Sequence, residues 1–265
     1  MTKYNMEFKN ILIEKRINCV IISLNRPDVL NSFNYAMADE FLMAFDDAEK
    51  DDSVRAILIT GAGRAFCAGQ DLEEATKKNG PSIDEIIDHT YNPICLKIYH
   101  AEKPVICYVN GVAAGAGANL ALACDITLAA KSAKFIQSFI NIGLVPDTGG
   151  SFTLPRAIGK QKAAGLMMSG DKLSAEEAER IGMIYQCVDE ETGLNEAIKL
   201  TEKIGAMPTK SIGYIKQLLK SSNDNSLEQQ LDLEKKLQKE AASSYDHKEG
   251  VQAFFEKRRP IYKGK

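Results

Sequence analysis

The chain has 265 residues, 45% of them hydrophobic and 26% charged, with a formal net charge of −3. That is enough material for one large globular domain with an appendage, and nothing global favours nucleic acid or an anionic membrane, so an anionic ligand must be held locally. The six cysteines (Cys19, Cys67, Cys95, Cys107, Cys124, Cys187) include no C-x-x-C pair and no histidine at zinc-ligand spacing, which fits reduced thiols, a cytoplasmic setting and no metal.

Met1 to Asn10 is polar and charged where a secretory leader needs an apolar run. Ile17 to Leu24 reads as a strand, ended by Asn25-Arg26-Pro27-Asp28. Asn34 is placed to cap a helix whose Met37, Phe41, Leu42, Phe45 and Ala48 share one face before the acidic turn Glu49 to Ser53. After the strand Ala56 to Thr60, the polar stretch Glu73 to Ser82 has no useful period and reads as a mobile surface loop. Ile83 to Glu102 is helical in pattern, with Pro93 starting a new helix or kinking the old one. The strand Val105 to Val109 leads through Gly111 into a small-residue helix, Gly117 to Cys124, and Ile126 to Ala129 and Lys134 to Gln137 read as short strands. Asn110, Asn119 and Asp125 interrupt the apolar run Val109 to Ala130, so it predicts a core helix and a core strand rather than a membrane span. Ser174 and Glu177 make a capping box for a helix ending near Gly182, before the strand Met183 to Val188. From Gly193 on the pattern is helical: Leu194 to Ala206, Pro208 to Lys220 and Leu227 to Ala242. The alternation predicts an α/β fold with a mostly parallel sheet over residues 1–193 and an α-helical appendage over 194–265.

Two stretches carry the chemistry: Ala65-Phe66-Cys67-Ala68-Gly69-Gln70-Asp71-Leu72 and Asn110-Gly111-Val112-Ala113-Ala114-Gly115-Ala116-Gly117. Each follows a buried strand and offers small residues where backbone N–H groups approach a ligand; a pair of such donors aimed at one carbonyl oxygen makes an oxyanion hole. Together with Leu24-Asn25-Arg26-Pro27, Lys103-Pro104, Leu173-Ser174-Ala175-Glu176-Glu177-Ala178 and Glu249-Gly250-Val251-Gln252-Ala253-Phe254, they resemble the enoyl-CoA hydratase/isomerase family, the crotonases. The resemblance implies a spiral of β-β-α turns forming two nearly perpendicular sheets, with a C-terminal helical trimerisation region and assembly as a homotrimer or dimer of trimers. It also implies an acyl-CoA thioester substrate, coenzyme A being part of that substrate and no separate cofactor being needed.

By the same resemblance the amides of Ala68 and Ala116 hold the thioester oxygen, Ala116 near a helix N-terminus where negative charge is favoured. Arg26 and Val29 line the nucleotide end, Ala65, Gln70, Asp71 and Leu72 the adenine and pantetheine path, and Phe254 with Lys257 contribute from the tail of the same or a neighbouring subunit.

Hydratases of this family use two glutamates to activate water, and the matching positions here are Asn119 and Phe139, neither of which is a general base. Asp147, in Gly143-Leu144-Val145-Pro146-Asp147-Thr148-Gly149-Gly150, offers one carboxylate at the entrance to a further helix. This run, with Tyr91-Asn92-Pro93-Ile94, resembles the ring-1,2-epoxyphenylacetyl-CoA isomerase group. One carboxylate suffices to take a proton from one carbon of an allylic system and return it to another while the amides hold the enolate. Its bland alternative is an N-cap. Phe139, Ile142, Leu144 and Val145 suggest an apolar wall that raises an aspartate's pKa, which a helix N-terminus opposes. Asn119 either touches a polar group of the substrate or satisfies local backbone.

The functional readings are therefore an acyl-CoA isomerase, an enoyl-CoA hydratase with an atypical one-acid site, or a non-catalytic acyl-CoA-binding subunit. Cys67 is a candidate reactive thiol. His89, His100 and His247 have no nucleophile beside them. Gly165 to Lys172 carries Asp171 where a phosphate loop needs lysine, and Leu120 stands where a dinucleotide fingerprint needs its last glycine.

Overall fold

The computed structural model describes residues 8–265, so most of the polar leader Met1 to Asn10 lies outside the described residues. A six-stranded sheet has the order β1 (Ile11–Lys15), β2 (Cys19–Leu24), β3 (Ala56–Gly61), β5 (Val105–Val109), β7 (Ile126–Ala130) and β10 (Gln186–Val188). Only β1 and β2 pair antiparallel; every other pairing in it is parallel. A four-stranded sheet joins β4 (Ala65–Cys67), β6 (Val112–Ala114), β8 (Lys134–Ile136) and β9 (Lys172–Ser174).

Each turn of chain lays one strand in each sheet, β3 then β4, β5 then β6, β7 then β8, and then enters helix. This is the β-β-α spiral of the crotonase fold. Burial on both faces explains why the parallel strands read as unbroken apolar runs: every residue of β5 is buried. The three-residue strands β4 and β6 lie inside the motifs that read as loops, because three residues are too few to show the alternation that marks a strand.

Helix α1 (Tyr35–Lys50) starts at Asn34, whose side chain accepts from the Met37 N–H at 2.9 Å, and it buries Met37, Phe41, Phe45 and Ala48 against the sheet; Leu42 is half-buried at the edge of that face. The Glu73 to Ser82 stretch begins with a short helix, α2 (Leu72–Ala75), capped by Asp71, and only then becomes exposed loop. Next come α3 (Ile83–Ile86), a π-helical turn over Ile87–Tyr91, and α4 (Asn92–His100). Pro93 lacks the N–H that would continue an α-ladder, and the wider turn directly precedes it.

The spiral continues with α5 (Ala116–Ala123), α6 (Gly150–Ser169), bent at Gly159, and α7 (Ala175–Arg180). Half of the capping box at Ser174 forms: Ser174 accepts from the Glu177 N–H at 3.2 Å, but the Glu177 carboxylate turns to Arg180 instead. Helix α8 (Gly193–Gly205) packs into the core through Ala197, Ile198 and Thr201. The helices outside the spiral therefore begin at α9 (Thr209–Ser221), followed by α10 (Leu227–Ala242) and α11 (Tyr245–Glu256).

The tail returns to the spiral at Arg55, whose guanidinium donates to the Tyr262 carbonyl at 2.7 Å and to Thr209 Oγ1 at 3.0 Å. No helix among the described residues is long and apolar enough to cross a membrane.

Candidate active site

The loop leaving β4 is gripped by backbone. The Phe33 N–H donates to the Gly69 carbonyl and the Asp71 N–H to the Phe33 carbonyl, both at 2.8 Å. Alternation along such a bridge turns the amide between them, that of Gln70, to the opposite side, where it meets no acceptor among the described residues. The Ala68 amide is already engaged, donating to the Leu30 carbonyl at 3.0 Å. The expectation for Ala68 is corrected accordingly: the open amide of this loop belongs to Gln70.

Ala116 opens α5, so its N–H has no intrahelical acceptor. The loops meet at Gly69, whose φ is +94°; a Cβ there would stand 3.0 Å from the Ala114 carbonyl oxygen and 3.6 Å from the Ala116 nitrogen. Gly117 lets α5 close on the same loop, since a Cβ would run into the Cys67 carbonyl and lie 2.7 Å from the Cys67 Cβ.

Asp147 lies just before α6. Its carbonyl accepts from the Gly150 N–H at 2.9 Å and from Asn119 Nδ2 at 2.8 Å, while Gln137 Nε2 donates to Asn119 Oδ1 at 2.8 Å. Asn119 is 0% exposed with both ends of its amide engaged, which favours the local reading, in which it fixes the Asp147 backbone. The N-cap of α6 is Gly149, not Asp147. The Asp147 carboxylate instead accepts from Thr148 Oγ1 at 2.8 Å. Thr148 adopts φ +51°, an unusual conformation for a β-branched residue, and is buried. Burial pushes the Asp147 pKa up to about 6, with the Thr148 hydroxyl and a backbone N–H pulling the other way.

Tyr91, which sequence reasoning left without a role, joins these parts. Its hydroxyl donates to Gln70 Oε1 at 2.7 Å, and burial, with the Cys67 and Asp147 side chains among its neighbours, raises its own pKa. Phe139 is buried and faces Gly115, where a Cβ would be 3.7 Å from the ring, and Leu144 stays exposed beyond it. Cys67 is no nucleophile, because full burial drives its pKa up to about 12.

Other expected ligand residues are committed within the protein. Arg26 pairs with Asp71 at 2.8 Å and donates to the Ser32 carbonyl at 2.7 Å. Asp71 also caps α2; burial alone would raise its pKa, but Arg26 and the cap amides bring it below the ordinary value. Ala65 is buried, with its carbonyl accepting from Asn31 Nδ2 at 2.8 Å. Val29 and Leu72 remain exposed on the segments that the Arg26–Asp71 pair ties together. Phe254 is 79% exposed on α11, and neither it nor Lys257 has a described contact with the Asp147 region.

The enoyl-CoA hydratase/isomerase family model matches residues 14–265. The chain belongs to the enoyl-CoA hydratase/isomerase family. It is 46% identical to a 1,2-epoxyphenylacetyl-CoA isomerase of Escherichia coli, over 98% of this chain and 100% of that protein. It is 40% identical to a probable enoyl-CoA hydratase of Rhodobacter capsulatus, again over 98% of this chain and all of the relative. Among solved structures, an enoyl-CoA hydratase subunit of Geobacillus kaustophilus matches at 33% identity with a TM-score of 0.89, covering 98% of this chain and 100% of that one. A putative enoyl-CoA hydratase/isomerase of Mycobacterium abscessus matches at 32% identity with a TM-score of 0.91, covering 96% and 100%. The chain is thus an enzyme of the hydratase/isomerase family, and the named relatives include both reaction types.

Proposed function

We propose that the chain is an acyl-CoA isomerase that shifts a double bond, or rearranges an unsaturated acyl group, through a thioester enolate. The observation that carries this reading is the Asp147 carboxylate, half-buried and raised to about 6, and by the family resemblance Asn119 and Phe139 match the positions of the hydratase glutamates. A carboxylate of that pKa takes a proton from one carbon, becomes the neutral acid, and returns the proton two carbons along. The enolate oxygen accepts from the Gln70 and Ala116 amides, each such donor being worth about 3 kcal/mol in the transition state. This chemistry asks for no resident cofactor.

Val29 and Leu72 supply apolar contacts to the coenzyme A arm, with Phe254 and Lys257 reaching it from a neighbouring subunit. Assembly as a trimer through the C-terminal helices is supported by a groove of about 610 Å³ between α9 and α10, lined by Tyr214, Ile215, Leu218 and Leu231, and by exposed Phe254 and Phe255. The free cysteines fit a cytoplasmic setting.

Incubation of the pure protein with 3-hexenoyl-CoA and, separately, with crotonyl-CoA tests the reading. It predicts fast conversion of the first to the 2-enoyl isomer; fast formation of 3-hydroxyacyl-CoA from the second, with the first untouched, supports the one-acid hydratase instead. Tight thioester binding without either reaction supports a non-catalytic subunit.

A further inference from the structure

Tyr91 is 3% exposed and closes the π-helical turn, and its place against the catalytic loop is fixed by two contacts. Its ring meets Phe33 edge to face, with centroids 6.2 Å apart and planes at 64°, and Phe33 is the residue whose backbone grips Gly69 and Asp71. Its hydroxyl donates at 2.7 Å to Oε1 of Gln70, the residue between those anchors. Among the described residues the Gln70 side chain has one other polar tie, a long contact from Nε2 to the Asp71 carbonyl at 3.4 Å. Phenylalanine at position 91 would fill the same space with no buried hydroxyl to satisfy, so packing alone does not account for the tyrosine.

We propose that Tyr91 is a positioning residue: by holding the Gln70 side chain it fixes the plane of the Gly69–Gln70 peptide, and hence the aim of the Gln70 N–H at the thioester oxygen. The proposal rests on the reading of the Gln70 and Ala116 amides as the oxyanion donors. It assigns Tyr91 no proton transfer. Losing the hydroxyl loosens the donor without emptying the wall, so binding survives while polarisation of the carbonyl suffers.

The test uses cinnamoyl-CoA, whose absorbance moves to the red when its thioester carbonyl is polarised, alongside turnover of 3-hexenoyl-CoA. Tyr91→Phe is expected to bind cinnamoyl-CoA within about twofold of wild type, with a smaller red shift and a kcat about tenfold lower at little-changed KM. Gln70→Met, which keeps the bulk but removes the acceptor, is expected to give the same pattern. The double variant is expected to fall no further than either single one, because both changes break one interaction. Full red shift and full kcat in Tyr91→Phe, or losses that multiply in the double variant, would overturn the proposal. A wild type that shifts the cinnamoyl-CoA spectrum yet isomerises nothing sinks the isomerase reading alone and leaves the Tyr91 comparison standing, whereas a wild type with no shift at all overturns both.

Discussion

At the scale of single residues, the proposed role of Asp147 comes with a cost in stability. Its carboxyl is raised from the ordinary 3.8 to about 6 by burial, so the folded protein binds this proton more tightly than the unfolded chain does. The corresponding stability is fully present below pH 3.8 and is lost as pH rises through about 6. Asp147→Asn is therefore expected to be the more stable protein at pH 8, by on the order of 2–3 kcal/mol, and to lose that advantage near pH 4; Tm measured at both values checks it. The rate has the opposite dependence. As a base Asp147 must be ionised, so kcat for isomerisation rises through about pH 6. Thr148→Val removes the hydroxyl that favours the carboxylate, and a pH–rate profile should find the acid limb moved to higher pH. The burial of Asn119 has a similar explanation: a carboxamide closed off from solvent is retained because it clamps the Asp147 carbonyl.

At the scale of elements, the site is made where β4 and the start of α5 touch, and Gly69 is the contact. Gly69→Ala puts a Cβ 3.0 Å from the Ala114 carbonyl at a φ of +94°. The expected result is a folded protein whose kcat is lower by about two orders of magnitude, as for loss of an oxyanion donor; circular dichroism and steady-state assays check both halves. Much of this was legible in the sequence. The long elements α1, β3, β5 and α10 follow from apolar period and capping residues such as Asn34, and Asp147 stood out because, by the family resemblance, Asn119 and Phe139 match the glutamate positions. Which amide of the small-residue run turns inward was not legible. That depends on the bridge to Phe33, which turns the Gln70 N–H away from Phe33 and leaves Ala68 bonded to Leu30. Tyr91 was equally hidden, since a tyrosine in a helical stretch reads as core until its partner across the fold is known. The brief strands β4 and β6 escaped because runs of three residues show no period.

At the scale of the whole molecule, the C-terminal helices leave apolar surface open. Phe254 and Phe255 are 79% and 77% exposed, and the α9–α10 groove is bare. Apolar area of that kind is what the proposed trimer would cover. Light scattering is expected to give three times the chain mass or a multiple of it, and Leu231→Glu, which sets a charge in the groove, to shift the protein toward monomer. Wild-type monomer at micromolar concentration would remove the neighbouring-subunit role given to Phe254 and Lys257.

The central claim is that one carboxylate moves the proton while two peptide amides hold the enolate, and incubation of 3-hexenoyl-CoA in D₂O with wild type and Asp147→Asn tests it most directly. Between the two transfers the neutral Asp147 exchanges its proton with solvent, so the wild type is expected to place deuterium at the α- and γ-carbons as the double bond shifts, and Asp147→Asn to lose exchange at both positions by about a thousandfold. Exchange at the wild-type rate in Asp147→Asn would contradict the claim.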